Sequence, residues 1–406
     1  MLTGLCSLSY ILLILIIFRK PDKIGLLYIS LPIIECFEHL YGALVAIPLG
    51  FITITSSDIA FLLLLFYFFR RGVLKRRIES VYISVIMLLI IGSTIFGLLE
   101  FGLVKEWQSD FRGFMKFFVP VLYGIECEYD LENLESYETY FHKVMFLFSI
   151  FYWIMLPVNV FVLGKGWKFI GSDTSILIAC YALYRLHREV TIEKRIGCGT
   201  LSYILMVIVQ QHNSVWVSFF IGLVYITMFD VGKTIITQKR LLLTTIFIAI
   251  IGSVGLIYAA QSFIGEQFVT TIDKFNQING SAEYGSFSTR MEVWQGCLES
   301  LEGTQWIWGK NFGSGYHVKW LFGIWDTSPH SGYIETIMRL GIIGTVSLLV
   351  LCLLLILRLF KIRCHIGVAI LLCLMIYWIP YSFTIEQGII IGILFTYADQ
   401  QLIKGE

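Results

Sequence analysis

Arg290 and His330 are the residues of this chain best suited to chemistry on a phosphorylated substrate. Arg290 lies in the run GSFSTRMEVWQGCLESLEG, where Thr289 and Glu292 are spaced as an N-cap and its reciprocal N3 partner. This predicts a short helix that Arg290 opens and Gly303 stops. Val293, Trp294, Cys297, Leu298 and Leu301 follow at helical intervals and predict an apolar stripe beside the arginine. His330 lies in DTSPHSGYIETIMRLGIIG, where Ser328 is set as N-cap and Pro329 as first helical residue, so His330 is predicted in the first turn of the next helix. Between them WGKNFGSGY supplies Gly309, Gly313 and Gly315, a backbone able to approach a ligand closely. A planar guanidinium, N–H groups oriented at a helix start and a glycine-rich turn are the parts of a pyrophosphate site. The alternatives are structural: Arg290 paired with Glu283 or Glu292, and His330 as a capping residue only.

These blocks share one polar stretch, Ser262–Gly332, between long apolar segments. The chain has 406 residues, 57% hydrophobic and 15% charged, and its apolar runs repeatedly reach membrane-spanning length. An all-α polytopic integral membrane protein of about 12–14 transmembrane helices follows. The net charge of +1 argues against nucleic acid as a partner. Leu5–Phe18 runs into Arg19 and Lys20 without a small-residue cleavage site, so it reads as the first membrane helix. Nine cysteines lie scattered singly and suggest neither a disulfide frame nor zinc. Ile24–Phe69 is long enough for two or three spans, interrupted by Glu35, Glu38 and His39. Arg70, Arg71, Lys75, Arg76 and Arg77 mark a cytoplasmic loop. From there spans alternate at Val81–Leu103, Phe114–Ile125, Val144–Leu163, Ser175–Leu186, Gly199–Gln211, Val215–Phe229 and Leu241–Gln261, and Tyr333–Ile356 returns inward. The expected organisation is an N-terminal helix bundle (1–261), a large external loop carrying the chemistry (262–332) and C-terminal membrane helices (333–406), all one membrane domain.

Other polar positions fall at predicted external helix ends. Asp110 and Arg112 are expected in a short loop before Phe114, with interfacial anchoring as the alternative for the arginine. Gln210, Gln211, His212 and Asn213 form the tip of a tight hairpin, and a merely solvated tip is the bland reading. Lys165, Trp167 and Lys168 read as an interfacial anchor. Glu335 and Arg339 are spaced i, i+4 in the order that favours pairing. No G-x-x-x-x-G-K-[ST] and no D-x-D occur, so neither a nucleotide engine, a metal site nor another cofactor is expected.

The run Ser288–Gly344 resembles the O-antigen ligase and O-antigen polymerase (Wzy-type) superfamily. The likeness rests on an arginine in an R-x-x-x-W helix, the G-x-G turn and a histidine before L-G-I-I-G. The resemblance implies a GT-C-like, metal-independent glycosyl transfer at the outer face of the bacterial inner membrane. The donor would be a glycan on undecaprenyl pyrophosphate, and the acceptor a second lipid-linked repeat unit (polymerase) or lipid A-core (ligase). It implies His330 and Arg290 as catalytic, and Arg112, Arg290, His212, Asn213 and Arg339 as contacts to pyrophosphate or glycan. Membrane lipids and a chain-length regulator are further implied partners. Two positions depart from the family pattern: Asn213 stands where the hairpin often carries arginine, and Ser331 where ligases often have asparagine. The stretch 262–332 has four basic residues, Lys274, Arg290, Lys310 and Lys319. Against them stand seven acidic ones, Glu266, Asp273, Glu283, Glu292, Glu299, Glu302 and Asp326. Four minus seven is −3, a poor match to phosphorylated lipid A-core, which favours the polymerase over the ligase. A transporter or flippase of lipid-linked sugars is the competing class.

Overall fold

A computed structural model describes residues 46–49, 52–71, 77–127, 129, 131, 134–158, 170–193, 196–210, 212–229, 286–316, 318–320, 323–325 and 328–405. Leu5–Phe18, Glu35 to His39, the Lys165–Lys168 turn, Leu241–Gln261, Glu283 and Asp326 lie outside them. The architecture is helical: α1 (Ser56–Arg71), α2 (Ile78–Phe101), α3 (Lys105–Glu126), α4 (Leu134–Pro157), α5 (Ser172–Arg188), α6 (Cys198–Val209), α7 (Asn213–Phe229), α8 (Ser286–Glu299), α9 (Gln305–Trp308), α10 (Gly332–Lys361), α11 (His365–Tyr377) and α12 (Ile385–Gly405). A π-helical turn, Glu189–Glu193, extends α5. Two short antiparallel hairpins, Ala46–Leu49 with Ile52–Thr55 and Val318–Trp320 with Gly323–Trp325, are the only strands among the described residues. The first replaces part of the helical spans expected between Ile24 and Phe69.

Three described stretches, Ile78–Phe101, Glu138–Pro157 and Gly332–Lys361, are long and apolar enough to cross a bilayer. On α2, Leu88, Ile95, Phe96 and Leu99 are exposed, as suits a helix facing hydrocarbon. Three of the expected spans thus recur with shifted ends, and helices form at the other described ones, α3 starting nine residues before the expected Phe114. Gly102 adopts φ 74° after α2, a conformation that costs a side-chain-bearing residue, and the chain resumes helix at Lys105. Trp107, Phe111, Phe114 and Phe118 recur at helical spacing along this first half, and Trp107 stacks on Phe111 at 5.4 Å. Asp110 and Arg112 thus lie within a helix and not in the loop predicted for them.

α3 is the centre of the packing. It crosses α12 at glycines: a Cβ on Gly124 would come 2.3 Å from the Gly392 Cα, and one on Gly388 2.3 Å from the Phe117 carbonyl oxygen. Small residues let two membrane helices approach backbone to backbone, where dispersion contacts accumulate. Phe117 stacks on Phe383 at 4.3 Å and meets Trp378 edge-on, binding α3 to the segment between α11 and α12.

The second organising feature is the break in α10 at Gly341 (φ 64°, ψ −168°). A Cβ there would lie 2.1 Å from the Ile307 carbonyl oxygen, and one on Gly309 2.3 Å from the Arg339 carbonyl carbon. The α9–Gly309 segment seats itself in the break, and the Lys310 N–H donates to the Met338 carbonyl at 2.6 Å. A carbonyl freed by the kink is thereby satisfied, as it must be away from water. Phe312 is fully buried and stacks on Phe114 at 5.5 Å, with its backbone against Gly97 of α2. The glycine-rich stretch is a plug between α2, α3 and α10 and not a loop that merely overlies them.

The bundle has two chemically different ends. At one, Arg358 bridges Glu79 (2.6 Å) and Asp399, Arg77 also pairs with Asp399, and Arg71 donates to the Cys127 carbonyl at 2.9 Å. The opposite end carries α8 and the starts of α3 and α10.

Candidate functional site

α8 presents Arg290 and Trp294 from one face. It begins at Ser286, so Thr289 and Arg290 lie inside it and the predicted capping box does not form; the helix ends at Glu299, four residues before Gly303. The apolar stripe is as predicted. Val293, Cys297 and Leu301 bury against Met338, with Leu298, Ile334 and Ile337 packed around them. That seam fixes α8 on the first turns of α10. It turns Arg290 and Trp294, one turn apart, toward the segments around Pro329 and Pro380. The Trp294 indole N–H donates to the Pro329 carbonyl at 2.9 Å. Arg290 donates to the Pro380 carbonyl at 2.6 Å, and its guanidinium lies 5.0 Å from the Tyr381 ring centroid. Neither acidic partner considered from sequence is shown: Glu292 makes no ion pair with it, and Glu283 lies outside the described residues. Among the described residues Arg290 meets no carboxylate, and its other N–H groups carry no hydrogen bond.

His330 stands beside it, but not in the helix predicted to hold it. Ser331 is the N-cap of α10, its hydroxyl accepting from the Ile334 N–H at 3.4 Å, and helix begins at Gly332. His330 precedes the cap in the left-handed region (φ 52°), an uncommon conformation for a residue with a side chain. Ser328 serves a different purpose from the one predicted: its hydroxyl accepts from the His330 N–H at 3.0 Å and donates to the Glu335 carboxylate. Desolvation first, and then the nearby Arg290 charge, hold the His330 imidazole below its ordinary pKa. The direction is that expected of a proton acceptor.

Glu335 and Arg339 do not pair. Glu335 accepts from Ser328 and, at 2.6 Å, from Ser382, joining the start of α10 to the segment between α11 and α12. Arg339 is fully buried and bonds Asp110 at 2.9 Å, the Gly315 carbonyl at 3.2 Å and Ser314, under the Tyr316 ring at 4.4 Å. Asp110 in turn accepts from the Gly313 N–H at 3.1 Å. Arg339 holds the plug, a role hidden from sequence because its partners lie on α3 and in the glycine-rich turn. Arg112 is engaged likewise, its Nε donating to Asp58 at 2.8 Å, with Lys116 3.2 Å from the same carboxylate.

His212 and Asn213 start α7. The His212 Nε2 meets the Ile170 carbonyl at 3.0 Å, and the buried Asn213 Oδ1 has no hydrogen-bond partner. α7 runs antiparallel to α11, because Tyr225 approaches His365 and Gly222 approaches Ala369, so Asn213 lies at the Tyr377–Tyr381 end. A cavity of about 300 Å³ opens at this end, walled by Asp110, Tyr316, Ser328, Glu335 and Ser382 among others. Among the described residues no three His, Cys, Asp or Glu side chains gather as a metal site would require.

Helices of membrane-spanning length define an all-α polytopic membrane protein, and Arg290 and His330 lie close together at one end of it. Residues 198–349, which contain Arg290, His330, His212, Asn213 and Arg339, match the family model for O-antigen ligase. The match supports placement in the O-antigen ligase/polymerase superfamily and a glycosyltransferase-like function of that type. No curated protein matches the chain.

Proposed function

We propose that this protein is a surface-polysaccharide polymerase. It transfers a glycan from undecaprenyl pyrophosphate to the nonreducing end of another lipid-linked repeat unit. The observation that carries this reading is Arg290: a guanidinium aimed by the Pro380 carbonyl and the Tyr381 ring, beside His330, with N–H groups to spare. A departing pyrophosphate needs such a preorganised donor, and a half-buried guanidinium supplies two parallel hydrogen bonds. His330, kept neutral, accepts the proton of the attacking acceptor hydroxyl. The hydroxyl oxygen bonds to the anomeric carbon as the bond to the pyrophosphate oxygen breaks. Arg112 reaches the donor only by sharing its pairing with Asp58, and His212 and Asn213 offer further polar contacts. Arg339, wholly buried, acts through the shape of the plug.

The charge of −3 over 262–332 supports the polymerase over the ligase. The basic cluster around Arg71, Arg77 and Arg358 supports a cytoplasmic location for that end of the bundle, with the site on the outer face of the inner membrane. The glycan ladder of a deletion strain tests the reading. Single-repeat chains on the surface are expected, bare core would indicate a ligase, and absence of any repeat outside the membrane would indicate a transporter.

A further inference from the structure

The pyrophosphate reading leaves the cavity beside Glu335 unassigned. Its wall includes three carboxylates, Glu106, Asp110 and Glu335, against one ammonium, Lys105. Asp110 is neutralised by Arg339, and the remaining two carboxylates against one ammonium leave no surplus of positive charge to hold the pyrophosphate itself. Hydroxyls from Ser109, Ser328 and Ser382 and the rings of Phe114, Tyr316 and Phe383 also line it. Carboxylates and hydroxyls that accept hydrogen bonds, set between apolar rings, fit a neutral ligand rich in O–H donors with carbon-bound faces. That describes a sugar ring. At about 300 Å³ the cavity is at the lower end of the roughly 300–1,000 Å³ of ligand pockets, room for one ring and not an oligosaccharide.

Glu335 is the residue best placed to read that ring. It is 9% exposed, and both its hydrogen bonds among the described residues fall on Oε1, from Ser328 and Ser382. Oε2 carries no hydrogen bond among the described residues, and Glu335 lines the cavity, so an acceptor remains there for a ligand to meet. Ser328 ties this carboxylate to the His330 backbone, and Pro329 ties the same segment to Trp294 on the helix that carries Arg290. His330 therefore adjoins both: its N–H bonds the cavity-wall Ser328, and the Arg290 charge lies near its imidazole.

We propose that this cavity is the acceptor subsite. It takes the terminal nonreducing monosaccharide of the acceptor glycan, with Glu335 accepting a hydrogen bond from one of its hydroxyls and presenting another to His330. The proposal rests on the glycan-transfer reading above. The test uses full-length protein in nanodiscs and, as acceptor, the host's repeat-unit oligosaccharide on a plain alkyl chain. Lacking pyrophosphate, that compound accepts but cannot donate, so acceptor and donor KM separate. Glu335→Gln and Ser109→Trp, the latter filling the cavity from an exposed turn of α3, are each expected to raise acceptor KM about tenfold or more. Donor KM should stay unchanged. A rise in donor KM alone, or no change in either, overturns the acceptor subsite while leaving transfer intact. If Glu335→Gln does not fold, Ser109→Trp decides by itself. A wild-type protein that transfers nothing from the pyrophosphate-linked donor removes the glycan-transfer reading and this proposal with it.

Discussion

Replacing Arg290 separates an arginine that grips a substrate from one that only braces two segments. The brace consists of one charge-assisted hydrogen bond to the Pro380 carbonyl at 2.6 Å and a cation 5.0 Å from the Tyr381 ring. A hydrogen bond from a charged donor contributes about 1.5–3 kcal/mol, and half-exposure puts this one at the low end. The cation–ring contact adds about 0.5–1 kcal/mol. Arg290→Ala should therefore cost about 2–2.5 kcal/mol of stability. Arg290→Lys, which keeps a cation near the ring and one donor for the carbonyl, should cost about 1 kcal/mol or less. Turnover should respond on a different scale. Loss of a preorganised donor to a departing anion costs about 10²- to 10³-fold. The alanine variant should show that whole loss. A lysine already committed to Pro380 has no second planar donor pair, so it should lose about tenfold or more. The assay is chain growth by purified protein on lipid-linked repeat units, with thermal unfolding of the same samples. Wild-type turnover in Arg290→Lys, with the alanine variant losing activity only in proportion to its unfolding, would reduce Arg290 to a brace.

His330→Asn should cut transfer by about 10²- to 10⁴-fold without moving the unfolding midpoint, and near-normal turnover would remove His330 from proton transfer. Because the folded imidazole lies below its ordinary pKa, wild-type turnover should hold through neutral pH and fall only in the acid range. The same depressed pKa makes any stability contribution of His330 full above the unfolded value and lost as pH falls, so an acid limb absent from His330→Asn is the expected signature. Asp110→Asn leaves the buried Arg339 charge unpaired and should destabilise the protein by about 3–5 kcal/mol, read as thermal unfolding; an unchanged midpoint would mean that Arg339 does not depend on Asp110. Transfer should persist in excess chelator, since the sequence has no D-x-D and no histidine or cysteine cluster; activity lost with EDTA and restored by magnesium would sink that expectation.

Periodicity alone carried the apolar seam of α8, because a helix must bury one stripe whatever its partner, and Val293, Cys297 and Leu301 do so. Span-length apolar runs likewise identified a polytopic helical membrane protein, and residue type with spacing singled out Arg290 and His330. Local rules failed where a long-range partner outweighs them. Glu335 and Arg339 have favourable i, i+4 spacing, yet a partly exposed pair of this kind contributes only about 0.2–0.5 kcal/mol. Buried contacts to Ser382 and Asp110 prevail over it, and both depend on chain segments far away in sequence. Ser331, not Ser328, caps α10 because Ser328 is held by Glu335 from the turn below, which leaves His330 outside the helix. Arg112 looked like a free cation in a loop until the helix containing it brought Asp58 within reach. Which charges remain available to a ligand is a property of the assembled bundle: pairing depends on distances between helices, and those are set by contacts such as Gly124 on Gly392 that no local pattern encodes.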